Sequence, residues 1–216
     1  MPSTVVHVGF GLLIAAALLG THFDRRAVIV VMAVTAFPDL DTFMGFFWTG
    51  AHRTVLHNIV LPLAVFAVLY WDVRYREESY VLSRWGEYGY RVGWVSVLGG
   101  WLVAHVLLDA FHNGVNLFWP LHDQFIDLSG HLYLSNERGI IQTFIEFDGF
   151  AVGEEHARGT TEDMHYYTGV DPGPDAPEDV ERIFPVFDNG ELGLLAVMGY
   201  LAAVFRLWDE SDEDDE

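Results

Sequence analysis

The sequence predicts an all-α integral membrane bundle of about five transmembrane helices, with an extracytoplasmic loop region that contains a short β-hairpin. Three observations lead there. Of the 216 residues 51% are hydrophobic and mean hydropathy is +0.24, although the net charge is -20. Those two facts are compatible because apolar and charged residues occupy alternating runs. The basic residues, in turn, are concentrated in two of the links between runs.

The first apolar run covers residues 5–20, is rich in Ala and carries His7 near its start. No basic stretch precedes it and no small-residue cleavage pattern follows, so it is expected to stay in the mature protein. A short link with Arg25 and Arg26 leads to the second run, residues 27–37, which ends at Pro38-Asp39-Leu40-Asp41. Both runs fall short of the ~20 residues of a straight span, so they extend into the links or cross a thinned bilayer. Residues 39–57 read as a loop with Phe46, Phe47, Trp48 and Gly50, closing on His52-Arg53-Thr54-Val55-Leu56-His57. The third run is residues 58–71, followed by a polar link, residues 72–91, with Arg74, Arg76, Arg84 and Arg91. The fourth, residues 92–108, leads into His105-Val-Leu-Leu-Asp109, with His112 one turn on.

Residues 1–121 thus form a membrane domain, and residues 122–190 an acidic extracytoplasmic region. Within 125–147, alternating polar and apolar residues on both sides of Asn136-Glu137-Arg138-Gly139 predict a strand pair joined by a turn. Residues 149–188 are acidic and contain Pro172, Pro174 and Pro177, which predicts loops. A final transmembrane helix occupies 191–208, and the acidic tail 209–216 is expected to be disordered.

Composition excludes several functions. The chain has no Cys, so disulfides and thiolate metal sites are out. All eleven basic residues are Arg, and the pI is about 4.6, a balance that keeps surfaces hydrated at high salt and suggests a halophilic archaeal source. No basic patch exists for nucleic acid.

Polarity brings the remaining chemistry together. The two Arg-bearing links should face the cytoplasm. His7, Asp39, Asp41, His52, His57, His105, Asp109 and His112 then all fall at the outer side, while His22 falls on the inner link. In a helix, residues four apart share a face, so His105 and Asp109 are expected to point the same way. His52 and His57 are five apart and need a break between them to act together. Each piece has an ordinary reading: His7 as an interface residue, Pro-Asp-Leu-Asp as a turn, His105 with Asp109 as a self-satisfied pair. Together they make a metal site, with His7, Asp39, His52, His57, His105 and Asp109 as ligands. Mixed imidazole and carboxylate donors suit zinc first, then manganese or magnesium, as one or two ions. Asp41 or Asp109 would act as general base or orient a ligand His, and Arg53 would pair with an anionic group. His122, Asp123, Asp127 and His131 fit a solvated surface near the entrance.

His7, then Pro38-Asp39-Leu40-Asp41, then His52-Arg53-x-x-x-His57, then His105-x-x-x-Asp109 followed by Gly114 and Trp119-Pro120, resembles the YdjM-like family of membrane proteins, to which metal-dependent hydrolase activity is ascribed. The likeness covers residues 1–121. It implies a multi-helix membrane protein with metal-dependent hydrolase activity, the matching residues being His7, Asp39, Asp41, His52, Arg53, His57, His105 and Asp109; Val55 departs from the family pattern beside the second His. The expectation is a multi-pass protein of the cell membrane that contacts lipid and hydrolyses an ester or phosphoester, a lipid-linked one being favoured by location. The alternatives are a transporter or ion-pathway protein, and a scaffold in which metal only staples helices.

Overall fold

The computed structural model describes residues 2–144, 147–148, 151–152, 156–173, 177 and 179–213. The protein is mostly helical, carries three small antiparallel sheets, and resolves into two units. A helical unit comprises Pro2–Pro38, Ile59–His105 and Pro185–Glu216; a loop unit comprises Asp39–Asn58 and Val106–Phe184.

In the helical unit, α1 (Thr4–Leu18) starts where Ser3 Oγ accepts from the Val6 amide at 3.4 Å. A 3-10 turn at Gly20–His22 reverses the chain into α2 (Arg25–Ala36). Asp24 caps α2 by accepting from the Ala27 amide at 2.7 Å, and the Tyr88 hydroxyl donates to the same carboxylate at 2.7 Å. The helices α3 (Val60–Tyr75) and α4 (Tyr80–Trp94) form a hairpin, and α4 continues into a π-helix, Val95–Leu107. The last helix, α6, is Gly190–Glu213. Leu12, Leu19, Phe23, Val31 and Val95 are buried together at the centre.

Apolar burial alone does not select this packing, because lipid is as apolar as leucine; close backbone approach does. On Gly199 of α6, a Cβ would stand 1.7 Å from the Gly9 carbonyl oxygen of α1. On Gly11 and Gly100, a Cβ would meet Thr35 Oγ1 at 2.6 and 2.4 Å. Thr35 on α2 is therefore clasped by two glycines from different helices. Ile29, Val68, Leu194, Val204 and Phe205 point outward and are exposed, as lipid-facing side chains are.

Among the described residues, three stretches are long and apolar enough to cross a bilayer: Arg25–Phe46 (22 residues), Tyr80–Ala110 (31 residues) and Gly190–Asp209 (20 residues). The first expected run forms α1, whose 15 residues rise about 22 Å, short of a ~30 Å hydrocarbon core. The expected polar link 72–91 is largely helical. Asp72 is the reason: it takes the Tyr80 and Val81 amides at 3.1 and 3.0 Å, the Ser79 hydroxyl at 2.7 Å and Arg76 at 2.7 Å. It thereby starts α4 after a link of only four residues. The expected turn at Pro38–Asp41 is instead part of a 3-10 helix, Phe37–Phe46, which prolongs α2. The fourth run follows i→i+5 rather than α-helical hydrogen bonding over Val95–Leu107, so a four-residue spacing is not an α-helical turn up to Leu107. Finally, α6 runs on to Glu213, into the tail expected to be disordered, because an existing helix propagates cheaply; residues 214–216 lie outside the described residues.

In the loop unit, α5 (Leu108–Ala110) ends the helical path. β1 (Phe125–Ile126) pairs with β6 (Ala157–Gly159) across a register irregularity. β2 (Leu132–Ser135) pairs with β3 (Gly139–Gln142), Leu134 opposite Ile140, around the expected Asn136–Gly139 turn. β4 (Phe147–Asp148) pairs with β5 (Ala151–Val152).

Two outcomes follow from the helical unit. Replacing Gly199 by Val drives a side chain into the α1 backbone and should cost about 1–3 kcal/mol or more in denaturation in detergent. Asp72 is held down to about 2, first by the Val81 amide and then by the Ser79 hydroxyl. Its folded value lies below the ordinary ~3.9, so its contribution is complete above that value and is lost as pH falls through about 2. The thermal midpoint of Asp72→Asn should therefore lie below wild type at pH 6, with the gap closing between about pH 4 and 2.

Candidate metal centre

The densest polar group lies in the loop unit, and Asp41 is at its middle. Asp41 is fully buried. His52 Nδ1 donates to its Oδ1 at 2.8 Å, and His57 Nδ1 donates to its Oδ2 at 2.9 Å. The Leu56 amide adds a third bond to Oδ2 at 3.1 Å. One carboxylate thus fixes the proton on Nδ1 of both imidazoles and leaves Nε2 as the basic nitrogen of each. This is how second-shell carboxylates set metal-ligating histidines. Of the two roles expected of Asp41, general base or orienting a ligand His, these contacts match the second.

The chain between His52 and His57 has no regular helix, as their spacing requires. The break centres on Arg53, the one non-glycine residue with positive φ (64°) among the described residues. That left-handed step lets His52 and His57 both turn back onto one carboxylate, with their rings 5.4 Å apart and nearly perpendicular. Asp41, His52 and His57 offer ligand atoms within 4.8 Å of one another.

On the far side of His57, Nε2 lies 3.5 Å from Asp109 Oδ2 and 3.8 Å from Asp39 Oδ1. Donor atoms around a tetrahedral ion with 2.0–2.2 Å bonds are about 3.3–3.6 Å apart, so these separations suit a shared cation. Burial alone would lower the pKa of His57; the carboxylates of Asp41, Asp109 and Asp39 outweigh it and raise it. Three carboxylates around two imidazoles and one guanidinium leave surplus negative charge, which a cation offsets. Among the described residues His52 Nε2 is buried and has no hydrogen-bond partner, which leaves it available as a donor to a cation. The Asp39 side chain is 29% exposed, against 2% for Asp109, so Asp39 is the side open to solvent.

Arg53 differs from its expected role as an anion clamp. It is wholly buried, donates through Nη2 to Asp109 Oδ1 at 2.8 Å and through Nη1 to the Gly114 carbonyl at 2.9 Å. Its guanidinium lies 4.9 Å from the ring centre of Tyr166, whose hydroxyl donates to the Asn113 carbonyl at 2.8 Å. Arg53 therefore aims Asp109, with Oδ1 tied to the guanidinium and Oδ2 turned to His57. Tyr166 and Gly114 were not singled out for this: a ring stacked on a cation has no sequence spacing, and Gly114 acts through its carbonyl.

His7 and His105 are both in the helical unit, stacked with ring centres 3.8 Å apart and planes 16° from parallel. His7 Nδ1 donates to the Ala104 carbonyl at 2.8 Å, and His105 Nδ1 to the Thr35 carbonyl at 2.7 Å. The same tautomer logic applies: Nε2 is the basic nitrogen of each. The carbonyl that orients His105 belongs to the Thr35 clasped by Gly11 and Gly100. His112, by contrast, is exposed and bonded to the Leu108 carbonyl. Of the surface residues near the expected entrance, Asp123 takes Asn116 and Thr161, and Asp127 takes Arg158 at 2.7 Å; both are structural.

Apolar helices long enough to cross a bilayer and a buried His/Asp cluster that could hold a cation define the class, a membrane protein with a candidate metal site. Within that class the assignment is specific. Over residues 1–164 the chain matches the model of the YdjM inner membrane protein family, and it belongs to that family. No curated protein and no solved structure gives a significant match.

Removing Arg53 leaves Asp109 Oδ1 buried beside other carboxylates. Arg53→Ala should destabilise the fold by about 3–5 kcal/mol, read by denaturation in detergent, and Arg53→Lys should recover only part of it, since an ammonium cannot reach both Asp109 and Gly114.

Proposed function

We propose that this protein is a metal-dependent hydrolase of the cell membrane, acting on an ester or phosphoester, with a lipid-linked substrate favoured by location. The observation that carries the reading is the Asp39–His57–Asp109 convergence, backed by Asp41 on His57 and by Arg53 on Asp109. The donor set is nitrogen and carboxylate oxygen without sulfur, which fits zinc, manganese or magnesium. A divalent ion bound there would act as Lewis acid on a substrate oxygen and make water acidic near neutral pH.

The protein's own part is positional. Asp41 keeps both imidazoles in the Nδ1–H form. Arg53 holds Asp109 in one rotamer. Asp39, the carboxylate with solvent access, is placed to accept a proton from attacking water. His7 and His105, with Nε2 basic in both, are further ligand candidates. In its fuller form the reading has five crossings, with α1 and residues 58–71 completing the three long spans, Asp72 lying beyond the membrane, and the cluster at the outer face.

A second reading draws on the burial of Asp41, His57 and Asp109. A site closed to this degree also suits a metal that only staples the chain together.

Protein purified without chelator should carry stoichiometric metal. Asp109→Asn and His57→Ala should lose it, and Asp41→Asn should weaken binding about 10–100-fold. His7→Ala and His105→Ala decide whether those residues belong to the ligand set. A wild type that is metal-free and takes up neither zinc nor manganese overturns the proposal. Metal-loaded protein should then be assayed on phosphodiesters, phosphomonoesters, phospholipids and carboxylic esters. Turnover of none, with metal still bound, leaves the staple reading in its place.

A further inference from the structure

We infer that the β2–β3 hairpin is a membrane-contact element, its Leu132–Leu134–Ile140 face seated in the lipid interface. Alternate residues of a strand share a face, and the register pairs Leu134 with Ile140 and Leu132 with Gln142. Leu132, Leu134 and Ile140 therefore share one face, with Gln142 at its root, and the three apolar side chains are 64%, 84% and 74% exposed. Among the described residues the hairpin is a sheet of two strands. Such a ribbon is marginal in water unless an apolar face is covered, and no described residue covers this one.

The root of the hairpin says what is at hand to cover it. The Leu128 amide donates to the Ala110 carbonyl at 2.7 Å, and Ala110 is the last residue of the span Tyr80–Ala110. Phe144, just past β3, packs edge-on against Phe111 with ring centres 5.7 Å apart. At Gly130 a Cβ would stand 2.7 Å from the Phe144 amide nitrogen, so the two sides of the root close tightly. The hairpin therefore springs from the end of a bilayer-length helix in a chain of an inner membrane protein family. Its four-residue strands reach about 13 Å, enough to lay an apolar face into an interface that amphipathic elements enter by about 5–10 Å. The bilayer is the occupant, and this inference does not depend on the metal centre.

The absence of Cys makes the test direct. Single variants Leu134→Cys, Ile140→Cys and, at the turn, Glu137→Cys are labelled with an environment-sensitive fluorophore in the full-length chain. Each is reconstituted into phosphatidylcholine vesicles and quenched by iodide from water or by a nitroxide-bearing lipid from the bilayer. Circular dichroism confirms an unchanged helix content. Labels at 134 and 140 should be quenched several-fold more by the lipid nitroxide than the label at 137, and several-fold less by iodide. Equal iodide quenching at 134 and 137 overturns the inference. So does protection at 134 that grows with protein density and gives a 134–134 disulfide on oxidation, which would make a second copy the occupant.

Discussion

A carboxylate sealed from water must be met by hydrogen bonds or opposite charge, and at Asp41 it is met by two imidazoles and an amide. Much of the loop unit is arranged to keep those bonds. The 3-10 helix Phe37–Phe46 carries Asp39 and Asp41 to the cluster, and the non-helical stretch before α3 returns His52 and His57 to it. Because both Nδ1 atoms are committed, the tautomers are set by the fold rather than by solvent. Asp41 therefore governs which nitrogens face outward without facing outward itself.

The backbone at Arg53 shows what this arrangement costs. A non-glycine residue in the left-handed region is disfavoured by about 1–3 kcal/mol and persists only where its surroundings hold it. Here the Arg53 carbonyl accepts from the Asn116 amide at 2.9 Å, and the side chain is gripped by Asp109, Gly114 and Tyr166. Gly114 itself sits at φ 78°, where a side chain would be strained and would crowd the Ile126 carbonyl at 3.1 Å. The strained step and the charge pair support one another: the turn aims the guanidinium, and the guanidinium locks the turn.

Part of this was legible in the sequence. Four of the expected ligands, Asp39, His52, His57 and Asp109, lie in one unit with Asp41, because ionisable residues beside apolar runs have few inexpensive places to go. The need for a break between His52 and His57 followed from helical spacing, and the β2–β3 turn from residues 136–139. Roles were less legible than positions. Arg53 was read as an anion clamp because its own partners, Asp109, Gly114 and Tyr166, are remote in sequence. Asp72 was read as part of a polar link because carboxylate capping of the next helix depends on a reversal of the chain. The π-helix was invisible for a different reason: the Gly99-Gly100 pair that packs against Ile14 and Thr35 looks like ordinary small residues in a membrane segment.

That π-helix bears on how the protein fits its bilayer. Tyr80–Ala110 has 31 residues, and as an α-helix it would rise about 46 Å, well beyond a ~30 Å hydrocarbon core. A segment so long usually tilts, kinks or thickens the membrane around it. Wider i→i+5 winding over Val95–Leu107 takes up residues with less advance along the axis, and the non-helical step at Gly86 sets the polar start of α4 apart from the apolar remainder. The type of helix thus takes up a small part of the excess length before any tilt is needed.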